Sequence, residues 1–135
     1  KHPLLKLKKL TLEAINQYPI ITYDFAFTGR SKINQAFENR GLEPNVVLTA
    51  IDSDVIKTYV ELGLGVGILA NMAFDAKRDK NLRSIDAGHL FEPSTTRIGI
   101  SRNSYLRGYI FDFIEMFAPH LDQASVQAKL ESSKM

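Results

Sequence analysis

Thr49-Ala50-Ile51-Asp52-Ser53-Asp54-Val55-Ile56-Lys57-Thr58-Tyr59-Val60-Glu61-Leu62-Gly63-Leu64-Gly65-Val66-Gly67-Ile68-Leu69 reads as a strand end, a polar loop, a helix, a glycine stop and a second strand. Val55, Ile56, Tyr59, Val60 and Leu62 recur at helical spacing, and Asp52 or Ser53 can cap the first free amides. Gly63 supplies the stop. Residues 66–70 then form a short apolar run interrupted only by Gly67, the pattern of a strand buried on both faces. The unit is βαβ, which places the chain in the α/β class with a parallel sheet.

The flanking sequence extends this plan in both directions. Upstream, Ile20-Ile21-Thr22-Tyr23-Asp24-Phe25 is β-branched and aromatic and reads as a strand. Thr28-Gly29-Arg30-Ser31 reads as a polar turn leading into a helix over residues 32–40, with Ile33, Ala36 and Phe37 on its apolar face and Gly41 closing it. Pro44 introduces the strand Val46-Val47-Leu48. Thr11 can cap a short helix over residues 12–17, ended by Tyr18-Pro19. Before it, Leu and Lys alternate over residues 5–8, as in an edge strand within a connector.

Downstream, residues 75–81 form a charged, solvated connection. Residues 82–85 are a short strand candidate, and Thr96-Arg97-Ile98-Gly99-Ile100-Ser101 alternates as a half-exposed strand should. Ser104 can cap a helix that carries Leu106, Tyr109, Ile110, Phe113, Ile114 and Phe117 at i, i+3, i+4, i+7, i+8 and i+11, a stripe expected to pack on the sheet. Pro119 ends it. Residues 122–135 are polar, consistent with a weak helix or a disordered tail.

Composition narrows the chemistry. The 135 residues hold one ordinary domain, and 17 basic against 15 acidic residues leave a formal charge of +2, too balanced to imply nucleic-acid binding by net charge. With no cysteine, disulfides, thiolate catalysis and cysteine-ligated metal are excluded. His2, His89 and His120 share no metal-ligand spacing, so no metal or other cofactor is expected. No apolar run reaches the roughly 18 residues needed to span a bilayer. The chain starts at Lys1 rather than methionine, which suggests a piece of a longer protein.

Two loops lead from strand ends to helix starts, residues 25–31 and 49–54. In an open α/β sheet such loops share the carboxyl edge, where ligands bind at the point of reversed strand order. Thr28, Thr49 and Ser53 supply hydroxyls there, Gly29 allows close backbone approach, and Arg30 adds a cation, so a small anion or carboxylate can be held. The same residue types also serve ordinary caps and turns. The glycines at 63, 65 and 67 follow a helix and precede a strand, the reverse of a dinucleotide fingerprint, and read as a turn and packing device. No catalytic set is marked, which speaks against an enzyme.

With Phe27-Thr28-Gly29-Arg30-Ser31, Asp52-Ser53-Asp54-Val55-Ile56-Lys57-Thr58-Tyr59-Val60, Leu62-Gly63-Leu64-Gly65-Val66-Gly67 and Phe117-Ala118-Pro119-His120-Leu121, the chain resembles the LysR-type transcriptional regulators, in particular their CysB/Cbl-like branch. The resemblance runs over about residues 2–121. It implies one Rossmann-like lobe of a two-lobed, type 2 periplasmic-binding-protein-like effector domain. On this reading residues 1–11 cross from a first lobe, residues 12–118 form the second lobe, and residues 119–135 return toward the first.

The resemblance further implies a cytoplasmic bacterial activator of cysteine biosynthesis, tetrameric at full length. Promoter DNA would be read by an upstream helix-turn-helix, with no membrane partner. The effector would be O-acetylserine or N-acetylserine, sulfate, thiosulfate or adenosine phosphosulfate, held between the lobes. Thr49, Ile51 and Ser53 would line the second-lobe wall, with Thr28, Gly29 and Arg30 on the neighbouring loop. Relatives commonly carry threonine where this chain has Ile51, so a hydroxyl contact would be lost there. A solute-binding protein of a transport system, or a small α/β enzyme, are the competing readings.

Overall fold

The structure, a computed structural model, describes residues 1–101 and 104–132, with Thr28 described for its backbone alone. The chain divides into two compact units, Lys1–Thr95 and a second that begins at Thr96.

The first unit is built on a parallel sheet of β1 (Ile20–Tyr23), β2 (Val46–Ala50) and β3 (Val66–Gly67), in the order β2-β1-β3. β1 is central, pairing Ile20 with Val46 and Tyr23 with Ala50 on one side, and Ile20 with Val66 and Ile21 with Gly67 on the other. Burial follows from that position: Ile20, Ile21 and Thr22 are fully inaccessible. A buried hydroxyl needs a partner, and Thr22 Oγ1 donates to Ile68 O at 2.8 Å. The strand expected over residues 66–70 is two half-buried residues, Val66 and Gly67, after which the Ile68 amide still donates to Ile21 O at 3.0 Å.

Helices α1 (Leu12–Ile15), α2 (Thr28–Glu38) and α3 (Ser53–Glu61) accompany the sheet. Thr11 caps α1 by accepting from the Ala14 amide at 3.2 Å, and Asp52 caps α3 by accepting from the Asp54 amide at 2.6 Å. Gly41 and Gly63 take positive φ, +66° and +83°, where the chain turns out of α2 and α3. Two other glycines make room: a Cβ at Gly65 would sit 2.9 Å from Pro19 C, and one at Gly67 would sit 2.9 Å from Val60 Cγ2. The packing role expected of these glycines is what the structure has. The core joins Leu4, Leu10, Leu12, Ile15, Ile20, Ile33 and Phe37.

Several expectations give way. Residues 28–31 are the first turn of α2 rather than a polar turn before it, since Arg30 bonds Asn34 one helical turn on and ties that turn to the sheet. Of the alternating stretch over residues 5–8, Leu5 and Lys6 belong to a 3-10 turn, Pro3–Lys6, which His2 Nδ1 caps by accepting from the Leu4 amide and for which Pro3 presets φ. On α3 the spacing misplaced two residues: Val55 and Leu62 are exposed, while Ile56 and, unexpectedly, Lys57 are buried. Neither residues 82–85 nor residues 96–101 form a strand. Arg83 donates to the carbonyls of Lys80 and Leu82, occupying backbone that a ladder would need, and residues 96–101 have no ladder partner among the described residues.

The second unit contains α4 (Gly108–Phe117) and α5 (Gln123–Ser132), joined through Phe111, Ile114 and Val126. α4 starts after Arg107, not at Ser104, whose amide donates to Ser101 O at 3.0 Å. Its buried residues are Phe111 and Ile114, which meet α5. Tyr109, Phe113 and Phe117, expected to pack inward, are 64%, 66% and 56% exposed. α5 settles the polar tail as a helix through Ser132. Asp122 begins it by accepting from the Ser125 amide at 2.8 Å, and these hydrogen bonds from Ser125 hold its carboxyl below the usual range.

Candidate functional site

The strand order decides where a ligand belongs. From β1 the chain passes through α2 to one side, and from β2 through α3 back across to the other, so the order reverses at β1 and opens a crevice at the carboxyl ends of β1 and β3. The last residues of β1 form the hub of that edge. Tyr23 OH lies 3.1 Å from Ser53 Oγ at the start of α3 and accepts from the Ala70 amide at 3.1 Å, just past β3. One phenol therefore joins β1, α3 and the exit of β3. Its ring stacks on Phe27 with centroids 5.4 Å apart.

Asp24 follows. Its carboxylate accepts from Thr49 Oγ1 at 3.3 Å and from the Ala26 amide at 3.3 Å. The negative charge beside Thr49 is thus Asp24, while Asp52 caps α3 and Asp54 pairs with Lys57 at 2.8 Å.

Arg30 is 5% exposed. Its guanidinium donates to Tyr23 O at 2.8 Å and to Asn34 Oδ1 at 2.9 Å, and lies 4.3 Å from the Phe25 ring centroid. Burial lowers its pKa and Asp24 opposes that shift; the group stays cationic. It serves as a bracket that holds the end of β1 while placing positive charge beneath the edge. Gly29 lies in the first turn of α2, and a Cβ there would meet nothing within 4 Å, so the space beside its Cα is open. Thr28 is the first residue of α2; its side chain lies outside the described residues. Ile51 is 72% exposed at the rim.

The structure thus brings Arg30, Thr49 and Ser53 to one strand end through Tyr23 and Asp24, two residues that the pattern of loops and caps did not single out. An aromatic residue with a polar tip at the carboxyl end of the central strand was the available signal. Ala70 could be found only from the strand order. An open surface depression along Phe74, Lys80 and Arg83 is lined by residues other than those of the hub, whereas a second, along Asn34, Glu38 and Pro44, reaches Arg30. Among the described residues no group of three or more acidic or histidine side chains could hold a metal ion, and no helix is long and apolar enough to cross a membrane.

The LysR substrate binding domain family matches residues 1–122. The chain is 57% identical over 132 residues to the HTH-type transcriptional regulator SsuR of Burkholderia cenocepacia, covering 98% of this chain and 43% of that protein. It is 53% identical over 130 residues to the regulator CysB of the same organism, covering 96% and 42%. It is 42% identical over 134 residues to the regulator Cbl of Escherichia coli K12, covering 98% and 42%. The crystal structure of the cofactor-binding domain of the Cbl transcriptional regulator superposes with a TM-score of 0.85 at 41% identity, over 96% of this chain and 57% of that one. The chain therefore spans about two fifths of the length of these curated relatives, 42–43%. All three are transcriptional regulators and none is an enzyme.

Proposed function

This chain belongs to the LysR substrate-binding-domain family, and from that premise we propose that it senses a small effector for a transcriptional regulator of sulfur assimilation. The observation that carries the reading is the convergence of Thr49, Ser53 and Arg30 on the end of β1, at the reversal point of the sheet. Hydroxyls and helix amides meet there above a buried cation, an environment that suits a small oxyanion or carboxylate.

The effector is acetylserine-like or a sulfur oxyanion: O-acetylserine, N-acetylserine, sulfate, thiosulfate or adenosine phosphosulfate. It is held at Thr49 and Ser53, with Ile51 at the rim and the Thr28, Gly29 and Arg30 turn beneath, and a first lobe outside this chain closes over it. Binding shifts the arrangement of lobes and subunits in a cytoplasmic homotetramer, and so the presentation of helix-turn-helix heads to promoter DNA. Such a shift requires that the effector bind one arrangement more tightly than another.

Calorimetric titration of the full-length regulator with each of the five compounds, beside Thr49→Ala, tests the reading. At least one compound is expected to bind, and about tenfold more weakly to the variant, the equivalent of one lost hydrogen bond of about 1.4 kcal/mol. Absence of binding by all five would overturn the sensing function, and unchanged affinity in the variant would remove Thr49 from the site.

A further inference from the structure

Two histidines hold the segment that precedes α1, one at each end, and their ring nitrogens have opposite duties. His2 Nδ1 accepts from the Leu4 amide at 3.3 Å, at the start of the 3-10 turn Pro3–Lys6. A backbone amide can only donate, so this nitrogen carries no proton and the neutral ring keeps its proton on Nε2. At the other end, His89 Nε2 lies 2.9 Å from Leu10 O, across 79 residues of chain. A carbonyl can only accept, so here the nitrogen must carry the proton. Between the two histidines, Leu4 and Leu10 are buried in the main core.

Protonation therefore acts on the two ends differently. Histidine is the side chain whose charge ordinarily changes between about pH 8 and pH 5, and an imidazolium donates from both nitrogens. At His2 an N–H then replaces the lone pair and confronts the Leu4 N–H, so the cap is lost. At His89 the bonding proton is already in place, and the bond to Leu10 O becomes charge-assisted. The neighbouring groups leave this asymmetry intact. The ring of His2 lies against Tyr18, with centroids 4.5 Å apart, and its turn carries the cation Lys6. The segment that His89 bonds carries Lys8 and Lys9, and its own loop carries Glu92 and Asp86, which accepts from the Gly88 amide at 2.8 Å. Among the described residues no carboxylate pairs with either ring.

We propose that His2 and His89 form a pH-sensitive clasp on residues 3–10, which mild acid opens at its start and leaves closed at its end. In acid Leu10 stays pinned, while the turn before it is held only by its own 3-10 bonds and the burial of Leu4. The clasp is independent of the effector site proposed above.

Residue-resolved hydrogen exchange on the full-length regulator, compared at about pH 7.5 and about pH 5.5 and corrected for the intrinsic pH dependence of exchange, tests the proposal. Protection of the Leu4 amide should fall about fivefold in acid, the equivalent of one neutral hydrogen bond. The Ile15 and Asn16 amides, which donate to Thr11 O and Leu12 O, should hold. In His2→Asn a side-chain oxygen can cap at either pH, so protection of Leu4 should no longer depend on pH. In His89→Leu the Ile15 amide should exchange about fivefold faster at both pH values, because Thr11 follows the freed Leu10. His89→Gln, whose amide can donate to Leu10 O, should restore it.

A Leu4 amide indifferent to pH in the wild type, or a fall that His2→Asn retains, overturns the switch at His2. An Ile15 amide unchanged in His89→Leu, or left fast in His89→Gln, overturns the pin at His89. Equal loss of protection at Leu4, Ile15 and Asn16 in acid overturns the clasp as a whole.

Discussion

Lys57 and Asp79 meet at 3.1 Å, joining the second turn of α3 to the charged connection that follows β3. The lysine is one of few charged residues in the first unit to be buried, and its side chain and that of Asp79 are only 11% and 12% exposed. Its ammonium also pairs with Asp54 at 2.8 Å and donates to Ala73 O at 3.0 Å, while Asp79 accepts from the Asp75 amide at 2.9 Å. An ion pair out of water holds only if its remaining hydrogen-bonding capacity is met, and here it is. The pair ties the helix that presents Ser53 to a segment without regular structure of its own beyond one 3-10 turn, Asn71–Ala73.

Lys57→Met keeps the length of the side chain and removes the ammonium, leaving Asp79 and Ala73 O without their common partner. Amide hydrogen exchange over residues 73–79 should accelerate by about tenfold or more, while β1 stays protected. Equal acceleration in β1 would mean that the lysine supports the whole unit and not this segment.

The same cluster sets a pH dependence. Asp79 is held below the ordinary carboxylate range chiefly by the Asp75 amide and also by Lys57, and Asp54 chiefly by its hydrogen bond from Lys57. A depressed folded-state value contributes stability that is complete above the unfolded value, about 3.9, and is lost as pH falls through the folded one. Urea midpoints should therefore hold from neutral pH to about 5 and fall below about 4. Lys57 is raised above its usual 10.5, first by Asp54, so its contribution is complete below 10.5 and lost as pH rises into the raised range. Asp79→Asn should flatten the acid limb, and an unaltered limb would assign the loss to other carboxylates.

Gly65→Ala should destabilise by about 1–3 kcal/mol, because the added methyl meets the Pro19 backbone, which cannot rotate away as a side chain can. Gly29→Ala should leave stability unchanged or raise it by up to about 1 kcal/mol, since the position is helical and open. Denaturant curves measure both. A stable Gly29→Ala protein with weakened effector binding would place the ligand against that backbone, as proposed.

Ile51→Thr lies at a position 72% exposed, so stability should change by no more than about 0.5 kcal/mol. It restores a hydroxyl at the rim, one not committed to Asp24, and should raise affinity for thiosulfate several-fold, by about the value of one neutral hydrogen bond. Calorimetry on the full-length regulator reads it; unaltered affinity for all five compounds would remove Ile51 from the site.

Phe37→Ala should cost about 3–5 kcal/mol, since the ring is fully inaccessible in the main core. A loss below about 1 kcal/mol would show that the core closes over the space it leaves.

Most of the βαβ frame was legible in the residues themselves. Thr11, Asp52, Gly41 and Gly63 mark helix ends through hydrogen bonds or backbone angles that reach no more than a few residues, so local spacing determines them. Ile33, Ala36 and Phe37 mark an inward face for the same reason. The resemblance to the LysR-type regulators, confirmed over residues 1–122, likewise needed only the order of residues. Alternation over residues 96–101 misled, since alternation describes a strand's faces but does not supply a partner to pair with. On α4 spacing names a face, and within the second unit Ile114 of that face is buried, with Leu106 and Ile110 packed beside it.

What the tertiary structure alone decided lies at long range. Tyr23 reaches Ser53 across 30 residues and Ala70 across 47, Thr49 reaches Asp24 across 25, and Lys57 reaches Asp79 across 22. No local periodicity encodes these distances. They follow from the strand order β2-β1-β3, which sets the ends of β1 and β3 beside the start of α3. The sequence determined by itself that hydroxyls would stand at strand ends; the fold decided which partner each would find, because those partners lie far away along the chain.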